Sequence, residues 1–360
     1  MSTHIWLRAE DKPFEERTAL TPEVAQRLLE KGFTISVEKS SQSAIKPEAF
    51  AAVGCELVEA GSWSDAPREA IILGLKELDV SETPLQHRHI HFAHVFKNQA
   101  GWQKVLQRFI EGEGALYDLE YLTDEQGRRV AAFGYWAGFA GAGVGLMAWA
   151  GQQLGNTPVL PALSAKNNKQ ALLDDLAAQL AAAKAAGGRT PRVLVMGARG
   201  RSGRGAVELA EAAGAEVTSW DIEETRAGGP FAEILQFDVL VNCVFVQAAI
   251  PPFLTSDMLA DPARRLSVIS DVSCDPYGDY NPLPIYKQCT TFDNPTLRLI
   301  EGENPLDLIS IDHLPSLLPV EASEDFCAQL SPYYLQLDDL SQGVWQRALA
   351  VFEEKTRNLR

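Results

Sequence analysis

Residues 192–221 read RVLVMGARGRSGRGAVELAEAAGAEVTSWD, and their order decides the fold. Arg192–Met196 is an apolar β-type run. A glycine-rich turn follows, with Gly197, Gly200 and Gly203 spaced G-x-x-G-x-x-G, and then a helical pattern over Ala206–Ala213. Glu216–Trp220 reads as a second strand with Asp221 at its tip. Each part has a physical task. Glycines permit the tight turn and let the backbone approach a pyrophosphate. The first turn of the helix offers unpaired N–H groups and the positive end of its dipole to phosphate oxygens. An acid at the tip of the second strand accepts hydrogen bonds from ribose hydroxyls and repels a 2′-phosphate, which favours NAD over NADP. The spacing departs from G-x-G-x-x-G, because Arg199 stands where the middle glycine belongs. Arg199, Arg201 and Arg204 either reach phosphate or form a solvated face, so NADP stays open. An ordinary glycine-rich turn is the competing reading, but strand, turn, helix, strand and acid in this order outweigh it.

Working outward, Val239–Val241 and Val268–Ser270 extend the same α/β unit. On the other side, Gln170–Ala186 is an Ala/Leu helix stopped by Gly187-Gly188, and Asn156–Asn167 reads as a loop. Residues 131–151 carry no charge, which by length permits a membrane span. Their many glycines and few Leu, Ile or Val favour a buried helix closely approached by its neighbours. The first third alternates as well. His4–Leu7, Phe33–Glu38, Ala70–Gly74 and His89–Ala93 read as strands. Thr21–Lys31 reads as a helix opened by Thr21-Pro22, and Gly101–Gly112 as another. Asp124–Gly127 reads as a tight turn between strands, and Leu337–Asn358 as one long amphipathic helix. Such alternation predicts parallel sheets with helices on their faces.

The chain has 360 residues, enough for two domains. Its net charge of −16 disfavours nucleic acid and anionic lipid as partners. Five cysteines (Cys55, Cys243, Cys274, Cys289, Cys327) are scattered without a C-x-x-C pair, which fits reduced thiols in a cytoplasmic compartment. No signal peptide and no peroxisomal or ER address is read at the ends.

A second polar set lies in the first domain. Arg8, Lys12, Glu15, Glu16 and Arg17 precede the first helix. Lys76 and Glu77 follow one apolar run, and His94 and Lys97 another. Polar residues just after strands sit at the carboxyl edge of a sheet, where open α/β folds bind ligands. These residues lie in stretches with a marked resemblance: LRAEDKPFEERTALTP, AGSWSDAPREAIILGLKE, IHFAHVFKNQAGW, YDLEYL, QGRRVAAFGYWAGFAG, WDIEETRAGGPF and ISIDHLPSLLP. They span residues 7–319. Together they resemble the saccharopine dehydrogenases of the NAD-dependent, L-lysine-forming type, enzymes of the fungal α-aminoadipate route. The alanine dehydrogenase and transhydrogenase group shares the R-x-A-L-T-P opening alone.

The resemblance implies an α/β fold of two Rossmann-like domains with parallel-rich sheets and an active-site cleft between them. Residues 1–132 with 320–360 would form the substrate domain and 133–319 the NAD-binding domain. It implies the reaction saccharopine + NAD + water to L-lysine + 2-oxoglutarate + NADH, reversible, in a monomer. Lys76 would be the base toward the secondary amine and His94 the acid–base for water attack. Arg17 and Lys97 would hold substrate carboxylates, with Phe133 lining the pocket. Arg129, Gly200, Arg201, Asp221, Thr225, Phe245, Val272 and the loop Ile311, Asp312, His313 and Leu314 would contact NAD, beside Gly197 and Gly203 of the turn. A lysine base must be neutral, far from its ordinary value near 10.4, so Glu77 and Glu120 are expected to set its balance. A histidine suits proton shuttling near neutrality.

Two departures stand out. Fungal members carry cysteine at the Ser202 position and a partner at Cys243, a pair this chain lacks, and Phe245 replaces a tyrosine. Alternatives remain: a related opine-type or amino-acid dehydrogenase with another amine or 2-oxo acid, and a non-catalytic NAD-binding sensor. His87, His89 and His91 alternate and so share one strand face. No ligand stands nearby at zinc spacing, so no metal is expected, and His87 and His89 are expected at the surface.

Overall fold

A computed structural model of the chain describes residues 2–97, 99–246, 248–278 and 280–359. It divides into two compact units, Met1–Ala132 with Pro319–Arg360, and Phe133–Leu318.

The first unit runs β1 (His4–Leu7), α1 (Pro22–Glu30), β2 (Thr34–Glu38), α2 (Pro47–Ala52), β3 (Glu56–Val58), β4 (Ile71–Leu73), β5 (Arg88–His91), α3 (Trp102–Gly112) and β6 (Ala115–Asp118). Its six strands are parallel in the order β3-β2-β1-β4-β5-β6, the doubly wound arrangement. Helix α1 starts as its sequence predicts, with Thr21 Oγ1 accepting from Val24 N at 3.5 Å and Pro22 in the first turn. The winding reverses between β1 and β4, and a sheet of this kind offers its ligand crevice at the carboxyl ends there.

The expectation for His87 and His89 is corrected. Both are buried, at 1% and 0% exposure, as is His91 at 1%. Strand β5 is an interior strand of an all-parallel sheet, a kind whose faces are both covered, and Trp63 and Phe109 pack on His89. The shared face does hold: ring centroids are 6.1 Å apart for His87–His89 and 5.9 Å for His89–His91. Among the described residues, no three His, Cys, Asp or Glu side chains group to hold a metal ion. The turn at Asp124–Gly127 closes with Gly127 N on Asp124 O at 3.0 Å, flanked by a lone bridge between Thr123 and Arg129 rather than by strands.

The second unit runs α4 (Gly134–Gln153), α5 (Lys169–Ala185), β7 (Arg192–Met196), α6 (Arg201–Ala212), β8 (Glu216–Trp220), α7 (Ile222–Thr225), β9 (Val239–Asn242), β10 (Val268–Asp271), β11 (Leu297–Ile300) and β12 (Leu306–Ile309). The order is β11-β12-β10-β9-β7-β8, parallel except that β11 is antiparallel to β12. Here the winding reverses between β7 and β9. The uncharged segment forms α4, whose body is buried against α5, α6 and the sheet. Glycine is what admits α6: a Cβ on Gly138 would lie 1.8 Å from Ser202 O. No helix among the described residues is long and apolar enough to cross a membrane.

The chain then returns to the first unit as α8 (Pro319–Tyr334) and α9 (Gly343–Thr356). The single helix expected over Leu337–Asn358 is thus shorter. Asp339 accepts from Ser341 N at 3.0 Å, and Gly343 takes φ +59, so the chain turns before α9 begins. Helix α8 docks on the α1 segment, with Thr18 N on Ser323 Oγ at 3.0 Å and Tyr334 Oη on Ala19 O at 2.8 Å.

Candidate active site

The carboxyl edge of the first sheet gathers Lys76, Glu77, His94, Glu15 and Arg17, because Lys76 and Glu77 follow β4 and His94 follows β5. Lys76 Nζ lies 4.0 Å from Glu15 Oε2. Glu15 is itself buried and receives a bidentate pair from Arg17, Nε to Oε1 at 2.7 Å and Nη2 to Oε2 at 2.6 Å. His94 Nδ1 sits 3.4 Å from Glu77 Oε2, and His94 holds an unusual φ of +54. This pairing holds the Glu77 carboxyl down at about 2, against the opposing effect of burial. Glu77 in turn raises the His94 imidazole above 6.5.

A second group lies beside it. Glu120 accepts from Lys97 Nζ at 2.6 Å and from Arg129 Nη2 at 2.9 Å. Burial works to raise the Glu120 carboxyl, but Lys97, Arg129 and His94 together bring it below its ordinary value. Asp118, at the tip of β6, accepts from Glu120 N at 2.9 Å and Ala93 N at 3.3 Å, and burial pushes it up to about 6. Of the two carboxylates expected to tune Lys76, Glu77 therefore faces His94, and Glu120 is taken up by Lys97 and Arg129. The carboxylate nearest the Lys76 amine is Glu15. Sequence reasoning named Glu15 only as one of the polar residues before the first helix and gave it no role.

The second sheet places the glycine turn after β7. Gly197 takes φ +76, and its N donates to Trp220 O at 2.8 Å. A Cβ on Gly203 would lie 2.1 Å from Gly197 O, so the helix closes on the turn only with glycine there. Helix α6 starts at Arg201 rather than at Ala206, with Gly200 as its cap, so its first-turn N–H groups open directly onto the turn. Asp221 stands at the tip of β8, accepting from Arg199 N at 2.8 Å and Ile222 N at 2.9 Å. A carboxylate has lone pairs beyond these two for ribose hydroxyls. Thr225 Oγ1 donates to Asp221 O at 2.9 Å. Turn, helix end and acid therefore fit a dinucleotide.

The other expected cofactor contacts lie at the same carboxyl edge. Phe245 follows β9 and is 65% exposed; Val272 follows β10; Ile311, Asp312, His313 and Leu314 follow β12. The His313 ring packs 4.6 Å from Phe292, and Ile311 and Leu314 are buried. Phe133 caps the start of α4 in this unit, half-buried, and Cys243, just after β9, is a free thiol pushed up by burial. The sequence reading missed a buried polar net at this edge. Asn242 Nδ2 donates to Asp271 at 2.9 Å, and Tyr286 Oη donates to Asp271 at 2.6 Å while meeting Ser310 Oγ at 2.9 Å. Asn242 and Asp271 each end an apolar strand, a signal that stopping those strands one residue short concealed.

Residues 6–140 match the alanine dehydrogenase/PNT N-terminal domain family. The solved structure of an L-alanine dehydrogenase superposes with a TM-score of 0.70 at 16% identity, covering 99% of this chain and 100% of that one, which speaks to the fold alone. Over full length, the chain is 47% identical to the saccharopine dehydrogenase (NAD(+), L-lysine-forming) of Schizosaccharomyces pombe, covering 100% of both. It is 49% identical to the enzyme of that name from Yarrowia lipolytica, covering 97% of this chain and 96% of the other. Identity of this order along the whole length shows that the chain belongs to the saccharopine dehydrogenase family of the NAD(+)-dependent, L-lysine-forming type.

Proposed function

We propose that the protein is an oxidoreductase that converts saccharopine, NAD and water to L-lysine, 2-oxoglutarate and NADH, and runs the reverse reaction. The single observation that carries this is full-length identity of 47–49% to enzymes of that name. The site chemistry agrees with it. Bound NAD supplies a hydride acceptor. Gly197, Gly200, Arg201 and Gly203 would cradle its pyrophosphate, and Asp221 and Thr225 would take the adenosine side. Phe245, Val272, Ile311, Asp312, His313 and Leu314 would complete its contacts along the same sheet edge.

Lys76 takes the proton of the secondary amine. Glu15 lies near its amine, and Glu77 and Glu120 shape the surrounding field. His94, its imidazole raised by its hydrogen bond to Glu77, gives or takes a proton as water adds and the lysine amine departs. Arg17 and Lys97 set cations at this edge of an acidic protein, which a dicarboxylate needs. We further propose a monomeric, cytoplasmic enzyme, in keeping with five scattered cysteines that are all free thiols.

The test is to mix the protein with lysine, 2-oxoglutarate and NADH and follow absorbance of the reduced cofactor, with Lys76→Met alongside. Rapid oxidation that the substitution abolishes is expected. Oxidation that survives it removes Lys76 from its role. No oxidation despite measurable NAD binding refutes the substrate assignment, and a panel with ornithine, ammonia and pyruvate then finds the alternative.

A further inference from the structure

Beyond Leu73, the β4 chain leaves its neighbours one bond at a time. On the β5 side, Gly74 N donates to Ile90 O and Phe92 N to Leu75 O, both at 2.9 Å. On the β1 side the ladder ends with Arg8 N on Leu73 O at 2.9 Å. Two side chains then take over from the strand. Glu10 accepts from Leu75 N at 2.6 Å through one carboxylate oxygen and from Lys76 N at 2.9 Å through the other. Arg8 Nη2 donates to the carbonyl oxygen of Lys76. Arg8 Nη1 and Glu10 Oε2 face each other at 3.6 Å, with side chains only 3% and 6% exposed. One buried ion pair thus grips both the N–H and the C=O of Lys76.

We propose that Arg8 and Glu10 are positioning residues for Lys76, fixing its backbone so that its amine reaches one place. This rests on Lys76 being the base. A buried ion pair is weak evidence for stability, since apolar residues of like size commonly serve as well or better. What apolar residues cannot do is hold a peptide group beyond the end of a strand. A lysine amine hangs on a flexible four-carbon stem, so the fold controls it from the Cα end. Gly74 belongs to the same device. A Cβ there would lie 2.2 Å from Arg8 Nε and 2.7 Å from Cζ, so glycine admits the guanidinium across the strand.

Two variants test this in the lysine, 2-oxoglutarate and NADH assay. Glu10→Gln keeps one acceptor oxygen and sets an amide donor against the other backbone N–H. Gly74→Ala displaces Arg8 without altering any charge, and it serves alone if Glu10→Gln does not fold. In each, kcat should fall by roughly ten- to a hundredfold, the scale of a small misplacement at a reacting centre. The KM for NADH should stay within about twofold, since the cofactor cradle is untouched. Amide exchange at residues 75 and 76 should accelerate while the thermal midpoint moves little. Wild-type kcat in both variants, with Lys76→Met inactive, overturns the proposal and leaves the base assignment standing. Turnover retained in Lys76→Met overturns the base assignment itself. A fall in kcat accompanied by loss of NADH affinity or a collapse of the thermal midpoint assigns the pair to stability instead, and overturns the proposal too.

Discussion

His89→Leu should make the first unit less sensitive to acid. The ring is 0% exposed, with Trp63 and Phe109 edge-on at 5.3 and 5.4 Å. Neither ring nitrogen has a hydrogen-bond partner among the described residues. Burial, aided by His87, Arg8 and Arg108, holds its pKa well below 6.5. The sign follows from that. Below 6.5 the unfolded chain takes up a proton that the folded chain refuses, so stability falls with pH. The loss approaches at most about 1.4 kcal/mol per pH unit, so at pH 5 His89 alone can account for at most about 2 kcal/mol. Other groups oppose it. Asp118, raised to about 6 by burial, and Glu10, raised by burial, hold their protons at higher pH folded than unfolded, as does His94 beside Glu77. The wild-type slope is therefore a sum, and the difference between variant and wild type isolates His89. Urea unfolding between pH 7.5 and 5, read by amide exchange on β5 and β6, reports the first unit alone. At pH 7.5 leucine should be neutral or better, because an unpartnered buried N–H costs about 1–3 kcal/mol. At pH 5 the gap in favour of leucine should have widened, by up to about 2 kcal/mol. A difference that stays flat across the range would refute the picture of a neutral, fully desolvated His89.

Three further outcomes follow from the two edges. Glu77→Gln removes the group that raises His94, so the limb of the pH–kcat/KM profile that belongs to His94 should move to lower pH; a limb that stays in place would detach His94 from it. Gly203→Ala puts a Cβ 2.1 Å from Gly197 O, so calorimetry should show NAD binding weakened at least about tenfold, with about 1–3 kcal/mol of stability lost to overpacking. Asp221→Ala removes the ribose acceptor and frees Arg199 N, so NAD affinity should fall and the preference for NAD over NADP should narrow. An unchanged NAD:NADP ratio of dissociation constants would remove Asp221 from selectivity.

Much of the architecture was legible from periodicity and punctuation. The strand at Arg192–Met196, the helix after Asn168 and the buried glycine helix all stand close to where their patterns place them. The failures share a cause. Helix α8 carries an apolar pattern broken by Pro332 and acidic residues, and only its docking on the α1 segment gives it a core to face. The short elements β3 and α2 are too brief for a period to show, and β11 and β12 are defined by pairing with each other and with β10. The tail helix was read too long because an amphipathic pattern continues through Leu337 and Leu340, while Asp339 and Gly343 turn the backbone.

At the site, what the sequence could not carry was burial. Lys76, His94 and Asp221 are legible because they follow strands, and a strand end is a place in the fold as well as in the chain. Glu10, Glu15 and His89 look like ordinary polar residues in the sequence, where nothing distinguishes a solvated carboxylate from one whose two oxygens close a strand's last N–H groups. The distinction matters chemically. A solvated glutamate near Lys76 would be screened and weakly coupled to it, whereas Glu15, buried and gripped by Arg17, has its carboxylate held in one place 4.0 Å from the amine. A bound dicarboxylate held by Arg17 would draw on the same guanidinium that grips Glu15. Substrate binding and the placement of Glu15 beside the Lys76 amine would thereby be linked through Arg17. Arg17→Lys, which breaks the bidentate pair and keeps the charge, should therefore alter the pH dependence of kcat/KM as well as substrate binding. A change confined to KM, with the pH profile intact, would show that Arg17 binds substrate without touching the base.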